Sequence, residues 1–470
     1  MGAGPAAVRD ALLAETVAHA RGRSPFWRAR LEGTGAADPV EAFRRLEPLT
    51  KREAIAAGDA LQAGGFDRAD DRIVLSSGTR REGGGCLYVR RQPAEEEALA
   101  TFLDGLRGAG TAEAPGPPAV VELWNVWHGL PPGAPPAGTF RVPWMPHDNF
   151  FELARAAFED AARFGGGRID AVRGSVSALL ALAASAARRG DAPLSRYGVR
   201  AVGTNSYEAT GRSRRLIAAA FGDVPIIDSY SLSEFTTPAP KCEACAGRHF
   251  AYPPLLPELF EPEIGAAPGG AGGPGGPGGP GGGPRPVEWR PGAVGRLVLT
   301  GLVPFVQRTP LLRYDTGDLV AATGDCAAAD DLGFRVLGRA VDAVAVAIDG
   351  RARLVLFPAD LEHAVDDQPH AARAAHLLER LGVLEGCDLG PPKVVARAEP
   401  AAGGEAAARI VVEVAAVPHA TDVERRTLAG TLRQALLARS EPLRGFVDGG
   451  GALEVRAVDA GAIPDRLFKR

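Results

Sequence analysis

Cysteine, methionine, lysine and aromatic side chains are scarce in this 470-residue chain, with 5 Cys, 2 Met and 6% aromatics. Five cysteines do not make a disulfide framework, which predicts a reducing, cytoplasmic setting. The only lysines are Lys51, Lys241, Lys393 and Lys469, so chemistry that needs an ammonium group has few candidates. No apolar run approaches the ~18 residues of a membrane-spanning helix without a charge interrupting it. Residues 1–23, MGAGPAAVRDALLAETVAHARGR, lack the apolar block of a secretory signal. Neither sign of charge dominates: 53 basic against 57 acidic residues leave a net charge of −4, which argues against nucleic acid or an anionic membrane as partner.

What remains is an ordinary core-forming composition, 46% hydrophobic and 23% charged, at a length that suits two or three folding units of about 150 residues. Residues 7–31 carry apolar residues at helical spacing and end in SPFWRARL. Residues 71–75 (DRIVL) and 86–90 (CLYVR) read as strands flanking a polar, glycine-rich loop. AVVELW (119–124), FRVPW (140–144), RAVGT, VPIIDSY and GRLVLT are short apolar runs that alternate with the helical stretches ELARAAFEDAARF and VSALLALAASAARR. This alternation predicts an α/β fold with buried sheets. Residues 265–284 hold twelve Gly, five Pro and three Ala and read as a surface loop inside a domain. The expected organisation is a large α/β domain over 1–337, a hinge at 338–342 and a small α+β domain over 343–470.

Four polar segments carry chemistry. Ser76, Ser77, Gly78 and Thr79 follow a strand and offer hydroxyls and unhindered backbone N–H groups to phosphate oxygens. This is not a Walker loop, because its GK[ST] ending is absent, and Arg80 and Arg81 stand where charge-assisted bonds to phosphate are possible. Asp228-Ser229-Tyr230-Ser231-Leu232-Ser233-Glu234 lies at the carboxyl end of an apolar run, where α/β proteins place ligands. Its Tyr230 suits a base and its Glu234 a hard cation such as Mg²⁺. Leu311-Leu312-Arg313-Tyr314-Asp315-Thr316-Gly317-Asp318-Leu319 puts Asp318 after a glycine turn, with two oxygens for vicinal hydroxyls. Gly338-Arg339 stands at the change in composition. A further stretch, Cys242-Glu243-Ala244-Cys245-Ala246-Gly247-Arg248-His249, has C-x₂-C-x₃-H spacing, short enough to place three ligands on one Zn²⁺.

In this order and at these separations the segments resemble the adenylate-forming superfamily, and within it the phenylacetate–CoA ligase branch. SPFWRARL, PLTKREAI at 48–55 and LFPADLEHAV at 356–365 extend the resemblance from about residue 24 onwards. It implies that Ser76, Ser77, Gly78 and Thr79 cradle ATP phosphates. Gly203, Thr204 and Asn205, with Asp228, Ser229 and Tyr230, would surround the adenine. Ser233 would approach the α-phosphate, Glu234 would hold Mg²⁺, and Asp318 and Arg339 would bind the ribose. Lys469 would be the catalytic lysine, and Cys326 would complete a structural Zn²⁺ site with Cys242, Cys245 and His249. The implied activity is ATP-dependent activation of an aryl or small acyl carboxylic acid to an acyl-adenylate, then transfer to the thiol of CoA. The alternative is transfer to a carrier protein or an amine, or nucleotide binding without thioester formation. A homodimer is also implied. The chain departs from the branch at Thr79-Arg80-Arg81, at Ser231, at Asn205 or Ser206, and at Val341 in the hinge. Trp127, His128 and Tyr207 are candidates to line the acid pocket.

Overall fold

Ser24 and Pro25 divide the N-terminal apolar stripe into two helices, Pro5–Arg23 and Pro25–Glu32. The Ser24 hydroxyl accepts the Trp27 N–H, and proline takes the first turn, where no donor is needed. Trp27 is wholly buried, and its indole N–H donates to the Pro310 carbonyl at 2.7 Å. In this computed structural model the described residues are 5–76, 86–108, 117–125, 135, 137–144, 149–190, 193–206, 208–235, 237–245, 247–250, 253–262, 284–324, 326, 333–348, 351–380, 384, 386–399 and 409–464.

The α/β expectation holds. One six-stranded sheet runs in the order Thr139–Trp144, Val120–Asn125, Ala171–Ser175, Val202–Asn205, Ile226–Tyr230, Ala239–Pro240. Its first five strands are parallel and its last pairing is antiparallel. Helices Asn149–Phe164, Val176–Arg188 and Gly211–Phe221 bury Phe150, Phe158, Leu179 and Phe221 in one core with Val121, Val172 and Val202 of these strands. Because parallel strands share a direction, Ser175, Asn205 and Tyr230 all end at the same edge of the sheet.

The second six-stranded sheet is antiparallel throughout, in the order Pro286–Val287, Leu255–Phe260, Val294–Gly301, Tyr314–Ala322, Gly333–Arg339, Arg248–His249. Every residue of Tyr314–Ala322 is buried, charged ones included. Glycine and proline make most of 265–284, and the strands on either side pair directly, Leu259 opposite Val287. Residues 263–283 themselves lie outside the described residues. A hairpin, Arg72–Leu75 with Tyr88–Arg91, carries the Ser76 segment at its neck.

Beyond Arg339 come the hairpin Val344–Ile348 with Arg351–Leu356 and a three-stranded sheet of Val394–Glu399, Arg409–Ala415 and Ala452–Val458. Helices Pro358–Asp366, Asp422–Arg439 and Glu441–Asp448 close a core around Leu361, Val412, Leu428 and Leu432. Thr421 and Glu424 form a reciprocal cap at the start of the long helix. This part touches the parallel-sheet half at a defined place. Leu384 and Leu389 bury in that half's core, and His376 lies 6.1 Å from Trp144, where burial lowers its pKa to about 4 and keeps it neutral at pH 7. Asp366, 4% exposed, accepts the Arg212 N–H at 3.3 Å in the first turn of Gly211–Phe221 and pairs with Arg373. Burial opposes ionisation of Asp366, yet the Thr210 hydroxyl and Arg373 hold its pKa below the ordinary 3.8.

A carboxylate held below its ordinary value stabilises the fold above that value, and this contribution is lost as pH falls through the folded pKa. Asp366→Asn should therefore cost about 1–3 kcal/mol at pH 7. Urea melts should show its difference from the parent shrinking below about pH 4.

Candidate functional site

The site is built where the carboxyl edge of the parallel sheet meets the antiparallel sheet. Ile226–Tyr230 ends there, and the turn Ser231–Glu234 carries its chain towards the second sheet. The Tyr230 ring is half-buried. It is edge-on to Phe334 and Phe250, with centroids 5.6 and 6.0 Å away. Its hydroxyl donates to Asp318 Oδ2 at 2.7 Å. Asp318 and Arg339 are direct cross-strand partners, and Arg339 Nε stands 3.1 Å from Asp318 Oδ1. Arg339 also donates to the Thr316 carbonyl at 2.7 Å. Burial raises the pKa of Asp318, while Arg339 and the Tyr230 hydroxyl pull it back towards the ionised form. Asp318 in turn raises the pKa of Arg339. Gly338 precedes the arginine with φ of 105°, and a Cβ there would stand 2.6 Å from Pro358 Cβ. The Gly-Arg dipeptide of the sequence is thus a steric requirement followed by an ion-pair requirement.

Glu234 is 7% exposed. It accepts the Tyr314 hydroxyl at 2.8 Å, and Lys51 Nζ stands 3.6 Å away, both on Oε1. Lys51 reaches this point because Leu49 bridges to the antiparallel sheet, its N–H donating to the Arg313 carbonyl at 2.7 Å and its carbonyl accepting Asp315 N–H at 2.9 Å. Thr50 then caps the helix Lys51–Ala57 in a box with Glu53. Arg91 approaches from the hairpin and donates to the Ser233 carbonyl at 2.7 Å. A carboxylate with one oxygen engaged suits Mg²⁺, which takes one or two carboxylates and completes its octahedron with water and phosphate oxygens.

The expected adenine-side residues fall on adjacent strands, with Gly203 opposite Ile227 and Thr204 opposite Asp228. The Thr204 hydroxyl and Arg214 both bond the buried Asp228 carboxylate, so these side chains hold the strand ends together. Asn205 accepts the Ser206 hydroxyl at 3.1 Å, and Ser206 has φ of 85°, a strained conformation of the kind that collects at functional sites. Ser229 pairs with Pro240 at the sheet's antiparallel edge. Ser76 is buried, and its hydroxyl accepts the Leu87 N–H at 2.9 Å, so it closes the neck of its loop. Ser77, Gly78, Thr79, Arg80 and Arg81 lie outside the described residues, as do Trp127, His128, Tyr207 and Lys469.

Cys242, Cys245, His249 and Cys326 come together, their ligand atoms all within 4.8 Å of one another. Cys242 Sγ is 3.6 Å from Cys326 Sγ, and Cys245 Sγ is 3.1 Å from His249 Nε2. The sequence spacing joins the first three. Cys326 arrives because Tyr314–Ala322 runs back along Gly333–Arg339, which pairs with the strand Arg248–His249. Sulfurs around one Zn²⁺ stand ~3.8 Å apart when Zn–S is ~2.3 Å, so the cluster fits that ion. Beside it, Glu208 takes Lys241 at 2.8 Å and Arg248 at 3.2 Å. Burial opposes its charge, but Arg248 and Lys241 hold its pKa at about 2.

Lys51, Arg91 and Glu208 escaped sequence reasoning as site residues. PLTKREAI contains Thr50 and Glu53 at capping spacing, a signal that Lys51 opens a helix, but only the sheet pairing of Leu49 aims it at Glu234. Arg339→Met should cost about 3–5 kcal/mol at pH 7, because it leaves the Asp318 carboxylate buried and unpaired. Since burial already raises the pKa of Asp318, protonation relieves the variant, and urea melts should show a smaller deficit at pH 5 than at pH 7.

No family model matches the chain, and no curated protein matches it by sequence. Solved structures do. A 2-hydroxyisobutyryl-CoA ligase, in an open conformation with 2-HIB-AMP and CoA, aligns over 99% of this chain and 91% of its own, with TM-score 0.61 and 17% identity. The same ligase in its thioesterification state aligns with TM-score 0.52. An acyl acid amido synthetase aligns over 97% of this chain and 87% of its own, with TM-score 0.54 and 14% identity. The chain therefore shares the fold of these two enzymes.

Proposed function

We propose that this chain is an ATP-dependent, AMP-forming acid–thiol ligase. It activates a carboxylic acid, aryl or small acyl, and passes the acyl group to a thiol, CoA in the first instance. The observation that carries the reading is the meeting of the Tyr230–Asp318–Arg339 triad with the Glu234–Lys51 pair at one sheet edge. These are the groups a nucleotide's ribose and its charged phosphates require, presented on a fold shared with ligases that hold acyl-adenylates. The phenylacetate–CoA ligase-like branch is our assignment from the sequence motifs. Transfer to a carrier protein or an amine is the competing outcome, since the amido synthetase shares the fold.

In the first step a carboxylate oxygen of the acid attacks the α-phosphorus of ATP, and the bond to pyrophosphate breaks. Asp318 accepts the ribose hydroxyls, and Arg339 keeps that carboxylate ionised. Ser76, Ser77, Gly78 and Thr79 frame the phosphates. Gly203, Thr204, Asn205, Asp228, Ser229 and Tyr230 form the adenine wall, and Ser233 approaches the α-phosphate. Glu234 would hold Mg²⁺, which neutralises phosphate charge. Lys51, beside Glu234, and Lys469, from the small domain, supply ammonium groups to the charge that develops during attack. In the second step a thiolate attacks the acyl carbon and AMP leaves, with the small domain, 343–470, turning on the hinge 338–342.

Purified chain with ATP and Mg²⁺ should release pyrophosphate when the right member of a carboxylic-acid panel is present, and CoA should then yield a thioester. Lys51→Met and Lys469→Ala should each slow pyrophosphate release by about 10²-fold, the effect of losing one preorganised charge-stabilising donor. No release with any acid, although ATP binds, would leave only the nucleotide-binding alternative.

The Cys242, Cys245, His249 and Cys326 cluster we assign to structural Zn²⁺. It joins the segment after Glu234 to the segment after Asp318, and so pins two walls of the nucleotide site. Elemental analysis should find one zinc per chain, and Cys326→Ser should lower both the metal content and the melting temperature. Metal-free parent protein with the same melting temperature would remove the assignment.

A further inference from the structure

Two arginines end the strand Tyr88–Arg91, and strand geometry sends them to opposite faces. Arg90 is spent on structure: it pairs with Asp59 at 2.5 Å and lies over the Phe66 ring at 5.3 Å. Arg91 turns the other way and donates to the backbone carbonyl of Ser233 at 2.7 Å. Its charged surroundings are Glu96, Glu95 and Glu234. Glu95 is committed elsewhere, accepting the N–H groups of Gln92 at 2.6 Å and Arg308 at 2.8 Å. The bond to the carbonyl ties the hairpin to the Ser231–Glu234 turn.

The carbonyl of Ser233 and the N–H and Cα of Glu234 lie in one rigid peptide plane. A donor fixed on that carbonyl restrains the rotation of the plane, and with it the direction in which Glu234 leaves the backbone. Tyr314 and Lys51 hold the other end of the same side chain. The turn is closed behind it by Phe235 N–H on the Leu232 carbonyl at 3.1 Å.

We propose that Arg91 is a positioning residue for the Mg²⁺ complex of ATP, acting through the Ser233 carbonyl to aim Glu234. This rests on the reading of Glu234 as the Mg²⁺ ligand. Two roles predict opposite signs. If Arg91 acted only by its charge, removing a cation from beside Glu234 would tighten Mg²⁺ binding. If it acts as a clamp, removal lets the ligand wander and Mg²⁺ binding weakens, by about 10-fold or more, as for other groups that orient a metal ligand.

The experiment is calorimetric titration of ATP into the full chain, with Mg²⁺ and with EDTA. In the parent, Mg²⁺ should tighten ATP binding. In Arg91→Gln that tightening should shrink about 10-fold or more, while affinity in EDTA stays within about twofold. Arg91→Lys, which keeps one donor for the carbonyl, should recover part of the loss. Unchanged or greater Mg²⁺ tightening in Arg91→Gln overturns the proposal. Should that variant not fold, Glu96→Gln alters the charge beside the guanidinium and leaves the clamp in place. An unchanged Mg²⁺ dependence there supports positioning, and a shifted one overturns it. A parent chain that binds no ATP in either buffer defeats the functional reading itself, a result distinct from all of these.

Discussion

A carboxylate buried between two sheets is the constraint on which the site depends. Asp318 sits in a strand with no exposed residue, and a buried charge is costly unless it is paired and hydrogen-bonded. Arg339 meets it from the neighbouring strand and the Tyr230 hydroxyl from the other sheet. Each partner places a demand on its own segment. Arg339 needs the register of two strands, Tyr230 needs the end of the parallel sheet to arrive at the right height, and Gly338 must be glycine for Pro358 to pass. One carboxylate thereby ties together the two sheets and the start of the C-terminal part.

The same seam carries the rest of the charge. Glu234, Lys51 and Arg91 come from three segments far apart in sequence, and Glu208 with Lys241 and Arg248 repeats the arrangement next to the Cys–His cluster. Opposite charges in a desolvated seam hold one another ionised, as the low pKa of Glu208 shows. Such a seam has its fields set before anything binds.

The fold matches a solved ligase structure at 17% identity, although no family model matches the sequence. Apolar packing tolerates exchange at constant volume, so cores such as those around Phe158 and Leu428 can be built from many sequences. Positions bound by bond-forming geometry tolerate less. Asp318, Arg339, Tyr230 and Glu234 are bound in that way, each through its charged or hydroxyl group.

By itself the sequence determined the α/β class, most strand and helix positions, the ordered polar segments and, by spacing, three residues of the Cys–His cluster, with Cys326 named by resemblance. These are local signals: period-2 and period-3.6 patterns, Gly turns, and C-x₂-C-x₃-H spacing. Helix 422–439 and the strand of VPIIDSY were legible for that reason. Tertiary structure decided that the second sheet is antiparallel, because strand direction follows from long-range pairing that no local pattern records. It also set Tyr230 edge-on against a stacked pair of phenylalanines, buried Ser76 in the neck of its loop, and brought Lys51 and Arg91 to Glu234. Those residues are separated by tens to hundreds of positions in the chain. Their meeting depends on where whole sheets dock, and docking is a property of the packed core rather than of any segment within it.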